Sequence, residues 1–379
     1  MKIVNVKTKQ RNYRIYIMAG IFDRLADLFR DPNGGPLGKI TGNDSKIFFI
    51  TDKRIWELYS EKIMNFLEKS LRKHRVFILV EGEKEKNLDS VRRIYDEMME
   101  FGLRRTDSVV AFGGGVTGDT AGFAASTYYR GVCLIHVPTT IVGQVDSSIG
   151  GKVAVNFKNA KNIIGSFYQP HAVFADPGIL SSLPEDEVRN GLAEVIKYGL
   201  VFDSSILAVL KKILSGLHKE NRSVTELLKC REFEWVIYRC CSIKAMTVAR
   251  DEFDVSYRNL LNFGHTFGHA IEKSSELEGI SHGMAVATGM LMALDASSLS
   301  GFKLAQAKKD IIEIYGYLNI PVTPSGIDPK KLMDALDFDK KFESGRTKFV
   351  LLSAINKPFF SYNPGRDIIE EAVRRNISV

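Results

Sequence analysis

Short runs rich in β-branched and apolar residues, at 46–51, 75–80, 108–112 and 133–137, alternate with amphipathic stretches at 55–71 and 88–101. Strands separated by helices cannot pair through tight hairpins, so this order dictates a mostly parallel sheet with helices on its faces. Beyond about residue 183 the strand signal fades, and residues 187–200, 223–249 and 265–273 carry helical spacing. The expected architecture is an α/β N-terminal domain with a mostly parallel sheet plus an all-α C-terminal domain. Pro177, Gly178 and Pro184 interrupt any regular element between them, which places the boundary near 180 and the domains at 1–180 and 181–379. Ser182 is available there to cap the helix that follows. Residues 348–355, rich in Leu and β-branched types, form either a late strand or a core segment.

A chain of 379 residues exceeds the roughly 250–300 at which a single core stops growing, in keeping with two domains. Its 52 Lys and Arg against 45 Asp and Glu leave a net charge of +7, scattered rather than gathered into a block that could follow a nucleic-acid backbone. The expected partners are therefore acidic small molecules, not nucleic acid. Four cysteines are too few for a disulfide framework, and Cys240 and Cys241 are adjacent, which fits a reducing cytoplasm. Lys2, Lys7, Lys9, Arg11 and Arg14 deny the N-terminal stretch the apolar core of a signal peptide. The longest apolar run, 284–294, stops at Asp295, well short of the roughly 20 residues that span a bilayer, so no membrane segment is expected.

Several motifs carry chemistry. The run Ala111-Phe-Gly-Gly-Gly-Val-Thr-Gly-Asp119 follows an expected strand and precedes a small-residue helix over 120–127, so its backbone amides can approach a pyrophosphate. Upstream, Glu83 and Lys86 stand just past a strand, where open α/β sheets bind ligands. His265, His269 and His282 fall within 18 residues, the first two sharing one helix face. Glu194 and Lys197 lie three apart on an otherwise apolar helix, where buried charges need partners. Glu194 with two of these histidines would make the ligand set of a catalytic zinc site with an open position. Residues 139–167, holding Asp146, Lys152, Lys161 and Asn162 just after Arg130, read as a ligand loop. Lys244, Arg258, Asn262, Lys340 and Lys341 add further groups for an anionic substrate.

With these residues in hand, the chain from about residue 48 to 355 resembles the 3-dehydroquinate synthase family. The most specific stretches are Gly113-Gly-Gly-Val-Thr-Gly-Asp119, Val137-Pro-Thr-Thr140, Gln144-Val-Asp-Ser-Ser-Ile-Gly-Gly-Lys152, Lys161-Asn-Ile-Ile-Gly165, Leu192-Ala-Glu-Val-Ile-Lys-Tyr-Gly199, Leu261-Asn-Phe-Gly-His-Thr-Phe-Gly-His269 and Asp339-Lys-Lys341. The resemblance implies an N-terminal nucleotide-binding domain that takes NAD, a C-terminal metal-binding domain and an active site in the cleft between them. It implies Glu194, His265 and His282 as ligands of Zn2+ or Co2+, and makes His269 a neighbour of substrate. It implies NAD contacts at Glu83, Lys86, Gly114, Gly115, Val116, Gly118, Asp119, Thr139, Thr140, Lys152, Lys161 and Ser182. It implies substrate contacts at Asp146, Lys152, Asn162, Lys197, Lys244, Arg258, Asn262, His269 and Lys340, with Arg130 reaching the site of a neighbouring subunit in a homodimer.

The implied reaction converts a phosphorylated sugar acid, 3-deoxy-D-arabino-heptulosonate 7-phosphate, to 3-dehydroquinate and phosphate in the shikimate pathway, with NAD oxidising transiently and returning its hydride. The chain departs from the family's pattern at Met284, where Glu is common, at Ser256-Tyr257, replacing a usual Gly, and at Asn356, another usual Gly. These departures leave a related cyclase, of the amino-dehydroquinate or sedoheptulose 7-phosphate type, as the alternative. A metal-dependent polyol dehydrogenase is a further one, although it gives no reason for Lys152, Lys197, Lys244 and Arg258.

Overall fold

The computed structural model describes residues 1–30, 44–158, 160–274, 280–323, 326–342, 347–362 and 364–377, and of residues 30 and 338–342 only the backbone. The chain forms two compact units, one of Met1–Leu183 with Ile237–Phe253 and the other of Pro184–Val236 with Asp254–Val379.

The first unit runs β1 (Lys2–Val6), β2 (Tyr13–Ile17), α1 (Leu25–Arg30), β3 (Ile47–Asp52), α2 (Lys53–Lys69), β4 (His74–Leu79), α3 (Leu88–Glu100), β5 (Ser108–Gly113), α4 (Gly115–Thr127), β6 (Cys133–Pro138), β7 (Lys152–Phe157), β8 (Ala160–Phe167) and β9 (Ala172–Ala175). A seven-stranded sheet has the order β1-β2-β9-β6-β5-β3-β4, parallel except for the β1–β2 pair. Burial on both faces explains the continuous apolar runs of its strands. Alternate residues serve opposite cores: Phe49, Val110, Phe112, Ile135 and Val137 pack with Leu25, Phe29, Phe66 and Leu67, whereas Phe48, Ile50, Val109, Ala111 and Leu134 pack with Val91, Ile94, Ala121 and Ala124.

The 139–167 stretch, read from sequence as a ligand loop, instead carries the antiparallel β7–β8 pair. Its inner face, Val153 and Val155, completes the second core, which is why polar composition alone misread it. A Cβ on Gly122 would stand 2.4 Å from the Val153 side chain, so the bare backbone of α4 is what lets β7 pack there.

The second unit contains α5 (Glu185–Val201), α6 (Ser205–Lys219), the first residues of α7 (Arg231–Arg250), α8 (His265–Ser274), α9 (His282–Leu299), α10 (Ala305–Tyr317), α11 (Pro329–Phe342), β10 (Lys348–Ala354), β11 (Lys357–Tyr362) and α12 (Arg366–Arg374). Among the described residues it is helical except for the antiparallel β10–β11 hairpin, which amends the all-α expectation. The apolar run inside α9 is a core helix: every residue from Ala285 to Ser297 is buried, with no polar face. Among the described residues no helix is long and apolar enough to cross a membrane.

Sequence order and compactness differ at one place. Residues 237–253 follow the expected boundary, yet they pack with the first unit, where Cys241 donates to the Gln144 carbonyl and Lys244 pairs with Asp146. Glu252 also accepts from Gln169 and from the Lys9 amide. A further difference concerns Ser182, which does not cap α5. Its hydroxyl donates to the Ile179 carbonyl and accepts from Tyr59, while Pro184 holds the cap position.

Candidate functional sites in the two units

In the first unit the chain order reverses between β3 and β5, and such switch points leave a crevice at the strands' carboxyl ends. The glycine run leaves β5 there. Gly114 is the N-cap residue of α4, so the run itself forms the first turn of a helix that begins five residues earlier than sequence predicted. A Cβ on Gly113 would stand 2.6 Å from Thr117, and one on Gly114 would stand 3.1 Å from Thr140, so bare backbone is required. Asp52, ending β3, caps α2 and accepts from Thr117, tying two strand ends to the turn. His136 and Asp119 line the small cavity beneath the turn, together with Gly118, Ser147 and Ser148. Thr139 is buried, and its hydroxyl has no hydrogen-bond partner among the described residues.

Beside this turn, Lys86 donates to Asp119 at 2.6 Å and to Asn162 at 2.5 Å, bringing three expected site residues into one knot. Burial pushes the Asp119 carboxyl up, Lys86 pulls it back, and it settles at about 6. Asn162 adopts a left-handed backbone, φ 56°, and its amide donates to Asn156. Asn156 also donates to Glu83, and its backbone donates to the Lys86 carbonyl. Sequence reading missed Asn156; its place on β7, six residues from Asn162 across a tight hairpin, was the available signal. Asp146, in a π-helical turn, accepts from buried Lys244 at 2.5 Å. Lys152 and Lys161 lie on the exposed sides of β7 and β8. Arg130 is exposed after a turn in which Tyr129 and Arg130 both have positive φ.

In the second unit, close helix packing assembles a different cluster. A Cβ on Gly289 would stand 2.2 Å from the Gly264 carbonyl, and one on Gly268 would stand 3.2 Å from Val286, so α8 and α9 meet at backbone distance. Gly283 presses the start of α9 onto Asn190 of α5 in the same way. One turn further along α5 is Glu194. The result is that one carboxylate oxygen of Glu194 and one nitrogen each from His265 and His282 all lie within 4.8 Å of one another. Glu194 Oε1 is 3.5 Å from His265 Nε2 and 3.7 Å from His282 Nε2.

Glu194 and Lys197 are both buried and form an ion pair. Neither carboxylate oxygen of Glu194 accepts a well-aligned hydrogen bond among the described residues, an arrangement that a coordinated cation satisfies. Burial pushes this carboxyl up, but Lys197 and the two imidazoles prevail and hold it well below the usual range. Burial and the Lys197 charge push His265 down to about 3, so its imidazole is neutral, the form that binds metals. Burial lowers His282, but its contacts with Glu194 and Glu272 raise it to about 9. His269 is exposed, its ring 5.6 Å from that of His265 and 6.1 Å from that of His282. Arg258 is buried and Asn262 exposed on the turn before α8, while Lys340 lies in the last turn of α11, where side chains fall outside the described residues.

Comparison with known proteins matches residues 76–190 to the 3-dehydroquinate synthase N-terminal family and residues 191–342 to its C-terminal family. The chain is 39% identical over 361 residues to the 3-dehydroquinate synthase of Caldanaerobacter subterraneus subsp. tengcongensis, covering 94% of this chain and 96% of the relative. The chain belongs to the 3-dehydroquinate synthase family. Another dehydroquinate synthase relative, from Desulforamulus reducens, is 40% identical over 352 residues, covering 93% of each chain. Among solved structures, 2-epi-5-epi-valiolone synthase from Streptomyces hygroscopicus subsp. jinggangensis, with NAD+ and Zn2+ bound, has a TM-score of 0.83 at 25% identity, covering 97% of this chain and 98% of that one. 2-Deoxy-scyllo-inosose synthase with carbaglucose-6-phosphate, NAD+ and Co2+ has a TM-score of 0.79 at 25% identity, covering 99% and 100%. Maleylacetate reductase from Agrobacterium tumefaciens, at 13% identity and a TM-score of 0.63, covers 96% of each chain and shares the fold alone with this dehydroquinate synthase family member.

Of this chain's departures from the family's pattern, those at Asn356 and Tyr257 have local explanations. Asn356, with φ 61°, tolerates the left-handed turn between β10 and β11. Its side chain donates to the Gly199 and Leu200 carbonyls and accepts from Ser204, fastening the end of α5. Tyr257 packs its ring 6.4 Å from Phe202, also at the end of α5. The Met284 amide is capped by Ser281, and nothing in the structure gives its side chain a role.

Proposed function

We propose that this chain is a 3-dehydroquinate synthase, a phosphate-eliminating carbon–oxygen lyase acting on 3-deoxy-D-arabino-heptulosonate 7-phosphate in the shikimate pathway. The observation that carries this reading is the buried Glu194 carboxylate set between His265 and His282 in a chain of this family. Bound NAD supplies reversible hydride chemistry, and bound zinc or cobalt supplies Lewis acidity at the substrate hydroxyls.

The chain's own residues supply orientation and charge. Gly114, Gly115, Val116, Gly118 and Asp119 offer the nucleotide diphosphate a helix N-terminus, with Thr139 and Thr140 alongside. Glu83, Lys86, Lys152, Lys161 and Ser182 complete the proposed nucleotide contacts. Glu194, His265 and His282 hold the metal. Lys152, Asn162, Asn262, His269 and Lys340 cradle the phosphate that leaves, and Arg258 with Lys244 fixes the carboxylate end. Asp146, paired with Lys244, and Lys197, paired with Glu194, hold the substrate hydroxyls. Arg130, exposed on its turn, serves the site of the second chain in a homodimer. We place the enzyme in the cytoplasm and divide its work between an N-terminal nucleotide-binding domain, 1–180, and a metal- and substrate-binding domain, 181–379.

The test is an assay with NAD, zinc or cobalt and the heptulosonate phosphate that follows phosphate, dehydroquinate and NADH together. Equal phosphate and dehydroquinate without accumulated NADH is the expected result. Accumulated NADH without phosphate would replace this reading with a polyol dehydrogenase. Turnover of sedoheptulose 7-phosphate alone would replace it with a related cyclase.

A further inference from the structure

His282 stands between two carboxylates. Its Nε2 is 3.7 Å from Glu194 Oε1, on the side shared with His265, and its Nδ1 is 3.5 Å from Glu272 Oε1. Glu272 follows His265 by seven residues and His269 by three on α8, so all three occupy one face of that helix. That spacing is legible in the sequence, yet none of the chemistry above employs Glu272.

Two ligand sets therefore compete for His282. One is Glu194 with His265; the other is His269 with Glu272, whose donor atoms also fall within 4.8 Å of one another. The first set is the more deeply placed: Glu194 is buried and its oxygens accept no well-aligned hydrogen bond among the described residues, whereas His269 is exposed. Glu194 already shares its charge with Lys197, but a carboxylate this deeply buried still gains from a coordinated cation, which a solvent-facing set needs less. An imidazole coordinating through Nε2 carries its hydrogen on Nδ1, and that hydrogen needs an acceptor to fix the tautomer and the ring's plane.

We infer that Glu272 is a positioning residue, accepting the Nδ1 hydrogen of His282 so that Nε2 is presented to a metal held by Glu194 and His265. The inference rests on the proposed metal site. It makes the last turn of α8 part of the metal-binding apparatus, although Glu272 touches neither metal nor substrate.

Cobalt binding to the full-length protein tests it, by competition with a chromophoric chelator and with stoichiometry measured in parallel. The E272Q variant keeps an acceptor but loses the charge, and E272L loses both. Outer carboxylates of this kind are worth about 10–100-fold in metal affinity. The expected order of affinity is parent, then E272Q, then E272L, with E272L at the upper end of that range and one cobalt per chain throughout. In the cobalt-loaded parent, an exchangeable, paramagnetically shifted Nδ1–H proton resonance should be present, and it should broaden or vanish in E272L. An E272L affinity within twofold of the parent overturns the inference, as does a second cobalt equivalent that E272L abolishes, which would make Glu272 a direct ligand. Should E272L fail to fold, E272A, which also removes the acceptor, takes its place, and an affinity within twofold of the parent again overturns it. E194Q is run beside them: if it binds cobalt as tightly as the parent, the metal site itself is misplaced, a failure distinct from that of Glu272.

Discussion

The Gly283 amide donates to Asn190 Oδ1 at 2.6 Å, and a Cβ on Gly283 would stand 2.4 Å from the Asn190 carbonyl. The glycine thereby sets the distance between α9, which opens with His282, and α5, which carries Glu194. G283A should force these helices apart, cost about 1–3 kcal/mol as overpacking does, and reduce zinc retention. Denaturant melts and zinc content after dialysis check this; a destabilised variant with parental zinc affinity would separate the packing from the metal site.

Lys197 is the buried partner of Glu194, and removing one member of such a pair strands the other. K197M should lose about 3–5 kcal/mol of stability in chelator and recover part of it when zinc is added. Equal losses with and without zinc would show that the cation does not bear on Glu194.

Asp119 is held at about 6, above its ordinary 3.8. A carboxyl raised in the folded state favours folding while protonated. Its contribution is complete below about 3.8 and is lost as pH rises through about 6. Relative to D119N, the parent should lose about 3 kcal/mol at most between those values and run parallel above pH 7. Paired urea melts from pH 4 to 8 provide the test, and a constant difference would contradict the raised value.

The thiols should be quiet. All four cysteines are free, and Cys133, Cys240 and Cys241 are buried. Burial pushes the Cys133 thiol up to about 12 and the Cys241 thiol higher still. A thiol reagent at pH 8 should find only Cys230 in the native protein and all four in denaturant. Rapid native labelling of Cys133 would contradict its burial.

Asn356 combines a left-handed backbone with three side-chain hydrogen bonds at the end of α5. N356A should lose both features and about 2–4 kcal/mol, while N356G keeps the backbone freedom and loses less. Thermal melts of the two variants check the order.

Much of this was legible because chemistry and local structure coincide in sequence. The Gly113–Asp119 run, the Glu194–Lys197 spacing and the three histidines each declare themselves within a few residues. What stayed hidden depends on long-range packing. The β7–β8 pair looked like a loop because its buried apolar residues alternate with polar ones that stay outside the core. Lys244 looked like part of the helical half because nothing local records that Asp146, 98 residues earlier, would claim it. Glu272 was passed over because a single glutamate after a histidine pair has ordinary helix composition; only the Nδ1 of His282 gives it meaning.

The return of residues 237–253 to the first unit bears on synthesis of the chain. A ribosome releasing this polypeptide in order cannot complete the first unit when residue 183 emerges, because the segment supplying Lys244 and Glu252 is still unmade. Two faces, one beside Asp146 and one beside Gln169, wait uncovered until Lys244 and Glu252 are made. A fragment cut at the apparent boundary would keep those faces bare permanently and be prone to aggregate, whereas a permuted chain that carries 237–253 alongside residues 1–183 would not.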